Sequence, residues 1–480
     1  MISVAGLLAI FPLLLLAGTP LALLLVITIH RSHRMTLVVS LLGLAASFAS
    51  LWISAQVAPQ PVTALLVIDK YALFYFGMII AATVAITALA YGYLEQHAVA
   101  KEEFYILLVT ASLGAAVLAA SSHFVSFFLG LEILSVSLYA LNAYLYPRKT
   151  ALEAGIKYLV LAAASAAFLL FGMALIYAAV GTMAFGHMAE LMMETAGPNR
   201  TLLLPGLAMI ITGMGFKLAL VPFHMWTPDV YQGAPPPVAA FIATVSKGGM
   251  FALLLRYFYR LELRNYGPLL VVFAIIAIAS MLGGNLLALL QSNVKRILAY
   301  SSIAHMGYVL VAFLASGELA VQAVTFYLVA YFVTIIGAFG VVTVLSNGEE
   351  DAESLESYRG LFWRCPALAG VMTAMLLSLT GIPVTAGFIG KFFVVAAGAS
   401  SASWTLVIIL VISSVIGAFY YLRVIFALYA GTGEVPEPSS PPAPRIALGA
   451  SVLVVLTLLL VWLGVYPAPL LHVIRTALPS

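Results

Sequence analysis

The chain has 480 residues, of which 64% are hydrophobic and only 8% charged, with a mean hydropathy of +1.12. A soluble domain is about a quarter charged, so this composition excludes a globular surface in water and implies an all-α polytopic membrane protein. A net charge of +3 gives no footing for nucleic acid, and one cysteine, Cys365, excludes an internal disulfide framework, CxxCH haem attachment and cysteine-ligated iron–sulfur clusters.

In chain order, fourteen apolar runs are each long enough to span a bilayer. They lie near 5–27, 35–56, 71–93, 104–121, 123–144, 153–180, 201–222, 237–258, 266–290, 296–315, 318–346, 365–395, 402–430 and 443–466. The first begins without a basic leader and is read as a retained span. An even number of spans puts both termini on one side. The odd-numbered loops carry ten Lys/Arg against six in the others and the tail, so the positive-inside rule predicts periplasmic termini in a bacterial inner membrane. The longest polar stretches, Ser346–Arg359 and Gly431–Arg445, are too short for a nucleotide-binding fold. No Walker sequence, GxGxxG or HExxH occurs, so hydrolysis of ATP, dinucleotide binding and zinc chemistry have no motif here. The chain reads as one membrane domain, 1–480, without a soluble domain.

Two regions interrupt the helical pattern at membrane depth. One runs from Gly213 to Pro237 and includes Pro222, Pro228 and Pro235-Pro236-Pro237; the other is LTGIPVTAGFIGK, ending at Lys391. Proline removes a backbone donor and glycine loosens the helix, so both predict discontinuous spans. The breaks fall in the fourth span of each of two five-span units, about 104–258 and 266–430, flanked by 1–103 and 431–480. An odd number of spans per unit makes the repeat inverted, the pattern of many transporters.

Charges inside spans are the candidate functional residues, because each costs at least about 2.5–3.5 kcal/mol in hydrocarbon. They are Glu132, the only carboxylate deep in a span, and Lys157, Lys217, Lys247 and Lys391. A buried lysine can release its proton near neutral pH, which suits it to carry one. A lysine near a span end can instead snorkel or pair locally. Lys157, four residues beyond Glu153, is open to that reading. His305, within the tenth run, and His224, directly after the first break, are possible accessories. Other polar residues in the spans, among them Ser135, Ser246, Ser302 and Tyr308, could hold water, though each is singly more often a helix–helix hydrogen-bond residue.

Three segments carry a resemblance: GFKLALVPFHMWTPDVYQGAPPPVAAFIATVSKGG (Gly215–Gly249), LGGNLLALLQSNVKRILAYSSIAHMGYVL (Leu282–Leu310) and LTGIPVTAGFIGKFFV (Leu379–Val394). They resemble the antiporter-like membrane subunits of proton-pumping NADH–quinone oxidoreductase, respiratory complex I, over nearly the whole chain. The WTPDVYQGAP wording, the length, and lysine at 391 are most similar to the N-type subunit. The resemblance implies proton translocation by Glu132, Lys217, Lys247 and Lys391, with Lys157 as a further N-type lysine. It also implies that NADH, FMN, iron–sulfur clusters and quinone are handled by partner subunits, none being bound by this chain. Expected partners are the antiporter-like M subunit, small membrane subunits and the lipid bilayer. A Mrp-type cation/proton antiporter subunit is the alternative. Gln232 and Pro236 depart mildly from the family wording.

Overall fold

The computed structural model describes residues 3–97, 100–194, 200–260, 267–315, 317–346, 351–431 and 444–478. Most of the Pro- and Ser-rich stretch 431–445 lies outside the described residues. Among the described residues thirteen helices are long and apolar enough to cross a membrane, and two shorter apolar ones, Pro366–Thr380 and Ala386–Ser400, are read together as a further crossing. The crossings are numbered here as spans 1 to 14. They are Phe11–Ile29, His33–Val57, Lys70–His97, Glu103–Ala120, Phe124–Asn142, Lys149–Val180 and Arg200–Leu218 for the first seven. Pro236–Tyr259, Gly267–Leu289, Val294–Leu314 and Glu318–Leu345 follow; the divided span 12, Trp404–Tyr429 and Pro444–Val465 complete the set.

Boundaries follow local chemistry. The expected first run divides at Ile10, because Pro12 occupies the first turn of the longer helix and a proline fits only there without losing a hydrogen bond. His123 caps span 5 by accepting from the Val125 amide through Nδ1 at 3.1 Å. Asn293 caps span 10 by accepting from Arg296 N at 3.0 Å.

Span 8 is buried throughout, and spans 10 and 11 nearly so; spans 2, 6 and 14 turn mostly outward. The helices that bear Lys247, His305, Tyr327 and Tyr331 are therefore wrapped by others and shielded from lipid. Neighbours recur in the two halves. Span 4 packs on spans 5 and 8, and span 6 on span 7; likewise span 9 packs on spans 10 and 13, and span 11 on span 12. First meets second and fifth, and third meets fourth, in each five-span unit.

The loops sort onto two faces. On one, Arg31 pairs with Glu103, while Arg148 and Lys295 both reach Asp351 at 3.0 and 2.9 Å. On the other, Asp69 pairs with Arg256, His123 bridges Ala184, and Arg475 donates to Gln322. Every contact joins loops of one parity, as fourteen crossings require.

Candidate functional site

Span 7 breaks after Leu218 and resumes as Trp226–Gly233; span 12 breaks between Thr380 and Ala386. Each break holds one non-glycine residue in the left-handed region, Ala219 at φ +58° and Val384 at φ +74°. Such a backbone costs about 1–2 kcal/mol per residue and persists only where neighbours fix it. The neighbours are visible. Trp226 Nε1 donates to Phe216 O at 3.0 Å, and Val221 N donates to Ser280 Oγ at 2.9 Å. At the second break Gly381 ends the helix at φ +89°, and Gly387 N donates to Ser378 Oγ at 3.0 Å. The first break is narrower than the expected 213–237. Gly213 and Gly215 stay helical, and Pro236 and Pro237 open span 8 in its first turn.

Lys217, penultimate in its half-helix and buried, donates to Ser135 Oγ on span 5 at 3.0 Å and to Tyr158 OH on span 6 at 2.8 Å. Ser135 stands three residues beyond Glu132, so the two share a face of span 5. Glu132 is half-buried, and both hydrogen bonds of Lys217 go to hydroxyls instead of to its carboxylate.

Lys247 follows a π-helical turn, Ile242–Ser246, within span 8. Such turns shift the helix register and often mark functional sites. The ammonium, wholly buried, donates to Ser302 Oγ at 2.6 Å, which also accepts from Tyr331 OH at 2.6 Å. His305, one turn further along span 10, contacts Tyr327 OH through Nδ1 at 2.7 Å and Tyr421 OH through Nε2 at 3.1 Å. Beside it lies a cavity of about 10 Å³, lined by His305, Tyr327, Tyr331, Thr334, Ser378 and Gly387 among others. That is room for about one water. Lys391 donates to Thr380 O at 2.7 Å and Ser414 Oγ at 2.6 Å, with its ammonium 5.2 Å from the Tyr308 ring centroid.

These contacts form a buried series of titratable and hydroxyl groups. Lys217 and Tyr158 stand at one end, Lys247, Ser302, Tyr331 and His305 in the middle, and Lys391 with Ser414 at the other. Hydroxyls and imidazole both donate and accept, so such a series can pass protons where isolated ammoniums cannot.

Lys157 stands outside it. Its side chain is 41% exposed, and the ammonium pairs with Glu153 at 2.6 Å and Asp229 at 2.7 Å. Arg296 joins Asp229 at 2.8 Å and reaches Gln232 at 3.1 Å. The local i,i+4 pair with Glu153, the alternative to a proton-carrying role for Lys157, is present, with Asp229 as a second partner. His224 lies buried within the first break, and its Nδ1 has no hydrogen-bond partner. Sequence reasoning missed Tyr158, Tyr231, Tyr327, Tyr331, Tyr421 and Ser414. Tyr158 had a signal, since Ala151, Ala154, Gly155, Tyr158, Ala162 and Ser165 form the buried stripe of span 6.

A cavity of about 590 Å³ lies elsewhere, between spans 2, 3, 11 and 14. It is lined almost wholly by apolar side chains such as Phe48, Met78, Phe332 and Val455 and holds none of the lysines. Among the described residues no three His, Cys, Asp or Glu side chains gather as metal ligands.

The family described as NADH:quinone oxidoreductase/Mrp antiporter, transmembrane, matches residues 121–417, which includes both breaks and every buried lysine. Among solved structures, the chain is similar to one from respiratory complex I of Thermus thermophilus with bound aureothin. That match has 33% identity, a TM-score of 0.82, and covers 97% of this chain and 99% of that one. It is also similar to a chain of an archaeal membrane-bound sulfane sulfur reductase, at 27% identity and a TM-score of 0.84, over 99% and 96% of the two chains. A chain of the Mrp complex from Dietzia sp. DQ12-45-1b shares the fold, with 20% identity, a TM-score of 0.84, and coverage of 99% and 97%. The chain thus belongs to the NADH:quinone oxidoreductase/Mrp antiporter transmembrane family, as an antiporter-like membrane subunit of the complex I type.

Proposed function

We propose that this chain is the N-type proton-translocating subunit of a complex I-type NADH–quinone oxidoreductase, an H⁺-translocating enzyme to which it contributes transport and no redox step. The supporting observation is the buried series itself. Lys217, Lys247 and Lys391 are each held by neutral hydroxyl or carbonyl partners, an arrangement that leaves a lysine free to exchange its proton. Glu132 and the three lysines are the proton carriers of this reading, with His305 and His224 accessory. Lys157, in its ion pair with Asp229, links spans 6 and 7 at the rim. NADH, FMN, iron–sulfur clusters and quinone belong to partner subunits, and an M-type subunit and small membrane subunits are the neighbours in the bilayer. The membrane is a bacterial inner membrane with both termini periplasmic, which the excess of Lys/Arg on the opposite loops supports.

Lys217→Ala and Lys217→Arg test the reading. Both are expected to assemble and to lose donor-driven proton pumping, arginine because it keeps its charge throughout the working range. Full pumping by assembled Lys217→Ala complex would overturn it. The second reading, a Mrp-type cation/proton antiporter subunit, is favoured by the shared fold. It predicts sodium–proton exchange in vesicles without any electron donor.

A further inference from the structure

Between the Lys217 and Lys247 sites of the series stands an aromatic partition. The Tyr158 ring lies 5.0 Å from Trp226, Trp226 lies 6.4 Å from Tyr231, and the Lys247 ammonium lies 5.8 Å from the Tyr231 ring centroid. Trp226 and Tyr231 belong to the short second half of span 7. Thr227 and Tyr231 are four residues apart there, so their side chains share one face. Both are fully buried; the Thr227 hydroxyl has no hydrogen-bond partner among the described residues, and the Tyr231 hydroxyl makes no hydrogen bond within 3.5 Å there, although it interacts with Ser302, the partner of Lys247. Ser246 Oγ, on the π-helical turn directly before Lys247, is buried and unpartnered as well.

Buried hydroxyls are nearly always satisfied, because desolvating one with no bond in return is costly. A phenylalanine at 231 would keep the ring contacts with Trp226 and Phe339 without that cost. Hydroxyls left with bonding capacity beside one partition supply the polar partners that trapped water needs, two to four in a protein interior.

We propose that the Thr227, Tyr231 and Ser246 hydroxyls hold buried water and form the proton-conducting link between the Lys217 and Lys247 sites, with Tyr231 as its relay. As Tyr231 gives its hydroxyl proton toward one lysine, it takes another through water from the opposite side. One O–H bond breaks as one forms, and the tyrosine ends neutral. The assignment rests on the proton-transport reading above.

The test uses assembled complex in sealed membrane vesicles, with turnover and proton uptake measured in H₂O and D₂O and normalised to assembled complex. Tyr231→Phe is expected to slow donor-driven pumping and turnover together by about tenfold and to change the solvent isotope effect. A merely structural defect would lower the yield of complex and leave that isotope effect unchanged. Thr227→Val, which keeps the ring partition whole, is expected to act in the same direction. Wild-type rate and isotope effect in either assembled variant would overturn the relay. Lys217→Ala separates the two levels: if it fails while Tyr231→Phe pumps normally, the relay alone is wrong. If Lys217→Ala pumps fully, the transport reading falls and the relay with it.

Discussion

Lys391 donates to the carbonyl of Thr380, eleven residues earlier in the same span, at 2.7 Å across the break. Thr380 closes the first half-helix, where the amide four residues on, that of Val384, has turned into the left-handed region. The ammonium takes the place of that missing donor. One side chain therefore does two things: it satisfies an orphan carbonyl in the membrane and stands in the proton series. Removing it is expected to abolish pumping and to leave the carbonyl with only the 3.3 Å hydrogen bond from Ser414 Oγ, at a cost of about 0.5–1.5 kcal/mol. Lys391→Ala should then show faster amide exchange over residues 378–388 in the assembled complex. Unchanged exchange there would mean that the lysine does not support the break.

Gly387 sets how closely the two halves of span 12 approach. A methyl group built on it would lie 1.9 Å from Ser378 O, a backbone atom that cannot swing aside. Overpacking of this kind typically costs about 1–3 kcal/mol and displaces the chain. Gly387→Ala should lower the yield of assembled complex and shift Lys391 away from Thr380. Normal yield and normal pumping would show that the halves can separate freely.

Asp351 ties three elements on the loop face, receiving Lys295 at 2.9 Å, Arg148 at 3.0 Å and Tyr93 OH at 2.8 Å. Burial alone would raise its carboxyl pKa, but Lys295, Tyr93 and Arg148 outweigh burial and hold it below the usual carboxylate range. A carboxylate depressed by folding adds stability above its unfolded pKa and loses it as pH falls through the folded value. Asp351→Asn should destabilise the protein by about 3–5 kcal/mol at neutral pH, since Lys295 stays buried with its partner charge gone. The deficit should begin to shrink as pH falls below about 4, the unfolded value, and close only below the depressed folded value, where the native aspartate is protonated too. Thermal unfolding of the solubilised complex across pH checks this, and a pH-independent deficit would contradict the linkage.

What the sequence disclosed tracks backbone chemistry closely. The breaks were legible because Pro222, Gly381 and Pro383 forbid a continuous helix, and the lysines because charge in hydrocarbon demands a reason. The π-helical turn before Lys247 was not legible, since Ile242-Ala-Thr-Val-Ser246 contains neither glycine nor proline and is set by packing in the fully buried span 8. The tyrosines were hidden differently. Their rings count as hydrophobic in any hydropathy window, while their hydroxyls carry the contacts to Lys217, His305 and Ser302. Among the polar residues of the spans, Ser135 and Ser302 meet lysines, whereas Ser137 and Thr212 bond back to carbonyls of their own helices. Helical geometry decided between them, and composition could not.

Lys157 and Tyr158 make the sharpest contrast, because adjacent helical positions differ by about 100° in direction. Lys157 faces the rim and pairs with two exposed carboxylates, a contact worth about 0–1 kcal/mol. Tyr158 faces inward, fully buried, and accepts from Lys217. Lys157→Ala is expected to leave pumping per assembled complex close to that of the unmodified protein. Tyr158→Phe should depress it severalfold, and Lys217→Ala combined with Tyr158→Phe should be hardly worse than Lys217→Ala alone, since the pair acts as one unit. Multiplicative defects in that double variant would break the link between the two residues. A large loss in Lys157→Ala, with assembly intact, would return the rim lysine to the proton path.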